Sequence, residues 1–128
     1  AGKLDKIIID PSAKGFILEF YNIAPKHIRG KITPARNDVV FGIEITTSLI
    51  DNNVVRVHKS CENFLREIST YCWDENAQKK GKDQPIKDND HTMDAFRYNN
   101  VVTRKYWERV LNTNFDNRRR GEKSDERE

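Results

Sequence analysis

Apolar and polar positions along this chain alternate between strand-like and helix-like periods. Lys6 to Asp10 is a short continuous apolar run, which predicts a strand buried on both faces, and Pro11 and Ser12 end it. Ser12 predicts the cap of a helix over 13–21, with Phe16, Ile17 and Phe20 turned inward. His27 to Thr33 is only lightly apolar and predicts a second strand nearer an edge. Asn37 or Asp38 then caps a helix whose Val40, Ile43, Thr47 and Ile50 follow helical spacing, and Asp51-Asn52-Asn53 stops it. Val54 to Val57 is β-branched and predicts a third strand, ended by His58. Ser60 opens the next predicted helix, whose stripe is Cys61, Phe64, Leu65, Ile68, Tyr71 and Cys72. Residues 74–87 are polar, contain Gly81 and Pro85, and predict a long loop or weak hairpin, functional or mobile. A final helix is expected from near Asn89 to about Leu111. A mixed-charge tail over 114–128, with Arg118-Arg119-Arg120, is expected to be disordered.

Strand and helix thus alternate, the order of an α/β fold. At 128 residues the chain is one domain, and no apolar stretch approaches the roughly 18 residues of a spanning helix. Charged residues make up 34% of the chain against 36% hydrophobic, so a soluble protein without membrane contact is expected, in the cytoplasm. The start, Ala1-Gly2-Lys3-Leu4-Asp5, has neither Met nor a long apolar run, which suggests a piece of something larger and no secretory leader. The net charge of +3 fits a nucleic-acid partner without requiring one. Cys61 and Cys72 are the only cysteines; on one helix they are too far apart to pair, so both are expected buried, reduced and structural.

The densest chemistry lies in Asp88-Asn89-Asp90-His91-Thr92-Met93-Asp94-Ala95-Phe96-Arg97-Tyr98. Asp90, His91 and Asp94 can share one helical face, and carboxylate oxygens are what hard divalent cations bind. Asp10 stands at the carboxyl end of a predicted strand, where α/β sheets place ligands. Two acids remote in sequence suggest a metal site built by folding. The alternatives are structural: Asp88 and Asp90 answering a helix dipole, and Asp10 capping the helix that follows. Lys79, Lys80, Lys82 and Lys87 provide charge that can track a phosphate backbone, or simply a solvated loop. Trp73 and Trp107 are expected as packing anchors, and Ala95 as the point where its helix nears the sheet.

In this order the segments resemble the C-terminal nuclease domain of the phage large terminase subunit, the DNA-packaging motor. The stretches that carry the resemblance are Ile8-Ile9-Asp10-Pro11-Ser12-Ala13, Ala35-Arg36-Asn37-Asp38-Val39, Val57-His58-Lys59-Ser60-Cys61-Glu62-Asn63-Phe64, Glu67-Ile68-Ser69-Thr70-Tyr71-Cys72-Trp73-Asp74 and the block Lys82 to Tyr98. The closing Asn-Asp-His-x-x-Asp-Ala-x-Arg-Tyr is the most specific of them. The resemblance implies a ribonuclease H-like mixed sheet flanked by helices, in a domain over 1–113. It implies a double-stranded DNA endonuclease that uses two divalent metals, Mg²⁺ or Mn²⁺. Of the family's three acids, the second matches Asp10 and the third Asp94, accompanied by His91, with Asp90 orienting those ligands from behind. Nothing matches the first acid, so the opening strands and the ATPase domain are expected to be missing and the metal site incomplete. Implied partners are double-stranded DNA, the terminase ATPase domain, the small terminase subunit and the portal, in the cytoplasm of a bacterial host. An unpaired sheet edge would also favour self-association. Two other classes remain open: a noncatalytic fragment that binds DNA or a packaging protein, and a receiver-type phospho-acceptor domain centred on Asp10.

Overall fold

The computed structural model describes residues 3–36 and 38–112. The tail over 114–128 and Asn37 lie outside the described residues. The elements run β1 (Ile7–Ile9), α1 (Lys14–Ile23), α2 (Lys26–Arg29), β2 (Ile32–Pro34), α3 (Val39–Asp51), α4 (Glu62–Ile68), α5 (Glu75–Lys79) and α6 (His91–Val102), with 104–112 helical beyond a break at Thr103. The unit is mixed helix and strand. Among the described residues its sheet has two strands, β1 and β2, paired in parallel with Ile7 opposite Ile32, Ile8 opposite Thr33 and Ile9 opposite Pro34.

β1 forms where the apolar run predicts it, but all three residues are only half-buried rather than enclosed on both faces. The second strand is shorter than expected. Pro25 presets its own φ at −56° and its carbonyl accepts the Ile28 and Arg29 N–H groups, so residues 26–29 coil into α2 and only Ile32–Pro34 extends. Pro34 lacks an N–H, a residue sheets tolerate at an edge. The Arg29 guanidinium folds back onto the carbonyls of Ala24 and Asn22 at the end of α1.

α3 begins and ends where its sequence signals lie. The Asp38 carboxylate accepts the Phe41 N–H at 3.1 Å, and Asn53, at φ 55°, makes the turn after it. Its buried face is turned from the expected one: Gly42 and Leu49 are buried, while Val40 and Ile50 are exposed. The third strand, Val54 to Val57, does not form. The turn at Asn53 sends the chain back over α3, and the Val54 and Val55 N–H groups both bond the Leu49 carbonyl, which leaves them unable to join a ladder. Those two valines instead pack on the cluster of Leu49, Trp107 and Leu111.

α4 is only seven residues long and starts after Cys61, not at Ser60. Of the expected stripe only Phe64 is buried; Leu65 and Ile68 are exposed, and Glu67 is buried in their place. Cys61 and Cys72 are both exposed, one at the mouth of α4 and one beyond its end, so neither is a core residue. The long polar segment 74–87 is organised as a closed hairpin around α5. Trp73 bridges Pro85, Asp74 N–H bonds Gln84 and Ile86 N–H bonds Cys72. The Asp74 carboxylate caps α5 through the Asn76 and Ala77 N–H groups. Trp107 is the packing anchor expected, its indole N–H bonded to the Asn100 carbonyl, but Trp73 is 40% exposed.

α6 packs on three other elements, α3, α4 and β1. Ala95 is exposed and brings no close approach. That approach occurs at Gly42 of α3, where a Cβ would stand 2.6 Å from Arg97 Cγ and 2.7 Å from its Cδ. Only a residue without a side chain lets Arg97 lie flat across α3.

Candidate active site

α6 starts without help from its own N-cap. Asp90 occupies that position, yet its side chain caps nothing. Glu67 of α4 supplies the cap instead: its Oε2 accepts the Thr92 N–H at 2.7 Å and the Met93 N–H at 3.0 Å. A carboxylate at a helix N-terminus also answers the helix dipole. The Phe64 ring meets Phe96 edge-on at 5.0 Å and fixes α4 against the same helix. Sequence inspection missed Glu67, because its partners lie 25 and 26 residues away and no local pattern marks it.

Relieved of capping, the Asp90 carboxylate turns to Lys87. Asn89 adopts a left-handed φ of 49°, which folds the chain back so that Lys87 lies over the first turns of α6. The Lys87 Nζ stands 3.2 Å from Asp90 Oδ2 and 3.1 Å from Asp94 Oδ2. Asp90 is buried, and its Oδ2 has this ion pair but no hydrogen bond of good geometry. Partial burial is the largest influence on Lys87 and lowers its pKa, but the hydrogen bond to Asp94 and the negative charges of Asp94 and Asp90 outweigh it and leave the pKa raised.

Asp94 has a second cation. Its Oδ1 accepts Arg97 Nη2 at 2.8 Å, and the Arg97 side chain is only 3% exposed. Arg97 also lies over the Tyr98 ring at 5.0 Å, while its Nε and Nη1 are buried without a hydrogen-bond partner. The two acidic oxygens of Asp94 are therefore held by two different bases, one locked in the interior and one on the surface.

Asp10 approaches from β1. Its Oδ1 accepts the Ser12 N–H at 2.8 Å and its carbonyl accepts the Ala13 N–H, so it shapes the turn into α1; the α1 N-cap itself is Ala13. The Tyr98 hydroxyl donates to Asp10 Oδ2 at 3.3 Å and ties β1 to α6. The Ser12 bonds first, then Tyr98 and the Lys87 charge, hold the Asp10 pKa below the ordinary aspartate value. Tyr98 shifts upward through burial and through the charges of both Asp94 and Asp10. The Tyr98 bond thus ties Asp10 to α6, the helix that carries Asp94, while Lys87 contacts Asp94 itself. Asp5 lies elsewhere, bonded to Tyr106 and 3.6 Å from Lys105.

The remaining expected site residues are more scattered. His91 is exposed at the first position of α6 and makes no hydrogen bond or ion pair with Asp10 or Asp94 among the described residues. Lys79, Lys80 and Lys82 are exposed around the end of α5, and of the four lysines only Lys87 reaches the acids. Among the described residues no three His, Cys, Asp or Glu side chains gather as a ready metal cage. The donors nonetheless suit a hard cation: they are carboxylate oxygens, one of them buried and short of a hydrogen bond, and a positive ammonium already stands between two of them.

With this arrangement in place, the chain proves similar to solved structures of a phage large terminase. It is 37% identical to the large terminase of a thermophilic bacteriophage in its crystal form 3, with a TM-score of 0.66 over 76% of this chain and 23% of that one. Crystal form 2 of the same terminase gives a TM-score of 0.67 at the same 37% identity and the same coverage. Its complex with ATP-γ-S gives 0.65 at 38% identity, over 74% of this chain and 23% of that one. The chain therefore spans under a quarter of the length of these relatives. No described protein family and no curated protein matches it. Among the described residues no helix is long and apolar enough to cross a membrane.

Proposed function

We propose that this chain is part of the nuclease end of a DNA-packaging large terminase, with a ribonuclease H-like fold, and acts on double-stranded DNA. The observation that supports this reading is the Tyr98 hydroxyl bond to Asp10, which ties the end of β1 to the helix that carries Asp94, in a chain 37% identical to a phage large terminase over 76% of its length. Asp10 and Asp94 would hold Mg²⁺ or Mn²⁺. When bound, such cations activate a water, stabilise the leaving oxygen and neutralise charge at phosphorus. The chain's own residues supply the frame. Tyr98 steadies Asp10, Arg97 steadies Asp94, and Asp90 shares the Lys87 ammonium with Asp94. His91, exposed at the start of α6, would orient water or move a proton. Lys79, Lys80 and Lys82 would meet the phosphate backbone. The ATPase domain, small subunit and portal remain the partners this reading implies.

A second reading has one observation in its favour. Both oxygens of Asp94 are occupied by Lys87 and Arg97, an arrangement also suited to a noncatalytic piece that binds DNA or a packaging protein. Plasmid nicking separates the two. The first reading expects weak nicking with Mn²⁺, less with Mg²⁺, and its loss in Asp94→Asn and in Asp10→Asn. Nicking that survives both substitutions sinks it. DNA binding without nicking, weakened by charge reversal at Lys79, Lys80 and Lys82, supports the second.

A further inference from the structure

We propose that the Lys87 ammonium is a tethered stand-in for a divalent cation: it neutralises Asp90 and Asp94 in the metal-free protein, and an entering metal displaces it into solvent. This rests on the reading above that Asp94 holds a metal.

Three features of the fold carry the inference. The first is the diverted cap. Asp90 sits where a helix N-cap belongs, yet Glu67 satisfies the N–H groups an N-cap would serve. The Asp90 side chain, 8% exposed, is left with an oxygen whose one ionic contact is Lys87 and which lacks a hydrogen bond of good geometry. A buried carboxylate in that state is matched to charge more than to a directional donor. The second is the asymmetry of the two bases on Asp94. Arg97 is buried, and its stem is pressed against Gly42, so it cannot leave. The Lys87 side chain is 58% exposed on a flexible stem, so it can. One base is a permanent brace and the other an exchangeable plug. The third is charge. An ammonium brings one positive charge at 3.1 and 3.2 Å from the two oxygens. A Mg²⁺ ion brings two, at about 2.0–2.1 Å from its ligand oxygens. Competition at that place favours the metal, but Lys87 must first be expelled.

The test is metal binding by the full 128-residue chain, with Mn²⁺ alone as probe, followed by calorimetry and by the electron paramagnetic resonance signal of free Mn²⁺. Lys87→Met should bind Mn²⁺ about tenfold more tightly than the parent, because no tethered charge competes or repels. Lys14→Met, which removes an equal charge from exposed α1, should leave affinity within about twofold. A urea series in EDTA adds a second readout: Lys87→Met should lose stability there and regain it with Mn²⁺, whereas the parent should gain less. Lys87→Gln serves if the methionine variant does not fold. Equal Mn²⁺ affinity in parent and Lys87→Met, or weaker affinity in the variant, overturns the stand-in role while leaving a metal at Asp94 intact. Mn²⁺ binding by neither protein overturns the metal reading itself, and the inference with it.

Discussion

α1 and α6 are helices of similar length with opposite fates. α1 reads Lys-Gly-Phe-Ile-Leu-Glu-Phe-Tyr-Asn-Ile, yet none of its residues is buried, and Phe16, Leu18, Tyr21 and Ile23 are 59%, 64%, 49% and 73% exposed. α6 is far more polar, yet it buries Arg97 and Asn100 alongside Met93, Tyr98 and Val101. What differs is the supply of partners. α6 lies among α3, α4 and β1, and these bring it partners: Thr46 of α3 for Asn100, Glu67 of α4 for its first-turn N–H groups, and Asp10 beyond β1 for the Tyr98 hydroxyl, while Arg97 pairs with Asp94 on α6 itself. α1 has Phe16 stacked on Phe20 and Arg29 over Tyr21, and little else among the described residues. Apolar content says which side chains gain from burial; it does not say whether the chain brings a surface to bury them against.

The sharpest way to break the contrast is to remove a long-range partner from α6. Glu67→Ala leaves the Thr92 and Met93 N–H groups without their acceptor in a buried place. Hydrogen bonds to a charged group contribute about 1.5–3 kcal/mol, so the loss should be about 3 kcal/mol for the pair taken together. Urea unfolding followed by circular dichroism measures it. A cost under about 1 kcal/mol would mean that Asp90 takes over the cap it now leaves to Glu67, and α6 would owe less to its neighbours than the structure implies.

A smaller effect is expected at Gly42, where two terms oppose each other. Alanine in a helix interior gains about 1 kcal/mol over glycine. Against this, the added Cβ would meet Arg97 Cγ and Cδ at 2.6 and 2.7 Å, atoms near the root of a side chain that is 2% exposed and cannot swing away. Overpacking of this kind costs about 1–3 kcal/mol. The net for Gly42→Ala should be destabilising by about 1 kcal/mol, read from the same urea midpoints. A stabilised variant would show that Arg97 has room to move, and the distinction between a locked Arg97 and a mobile Lys87 would weaken.

The contrast also marks how far the sequence could be read. Elements written in local chemistry are legible: the cap of α3 at Asn37 or Asp38, its stop at Asp51 and the apolar run of β1; the polar segment before α6 reads only as a loop or weak hairpin, and the α5 inside it goes unread. Elements that depend on a distant neighbour are not. Val54 to Val57 has strand chemistry, but Val54 and Val55 pack on a cluster that Trp107 and Leu111, from the far end of the described chain, complete. Cys61 and Cys72 read as interior residues only on a helix longer than the one that forms. The same division runs through the candidate site. Asp10, Asp90, His91 and Asp94 stand out from spacing and position alone. Glu67 and the Tyr98 hydroxyl act across elements, at sequence separations that no short window displays, and so does the close approach of Arg97 to Gly42.

The smallest expected effect lies on the other side of the contrast. Leu18→Gln replaces a 64% exposed side chain by one of nearly equal helix propensity, so the change reads the burial of that position and little else. With most of the leucine already in water, stability should move by no more than about 0.5 kcal/mol. That outcome would leave α1 as a helix held by its backbone and its ends, beside a sheet whose β1 edge away from β2 is open among the described residues. A loss above about 1.5 kcal/mol would mean that something covers the face in solution. Concentration then decides what: a midpoint that rises with protein concentration points to a second copy packed on α1, since association stabilises by mass action. A large loss independent of concentration would place the cover within the chain itself and dissolve the contrast between the two helices.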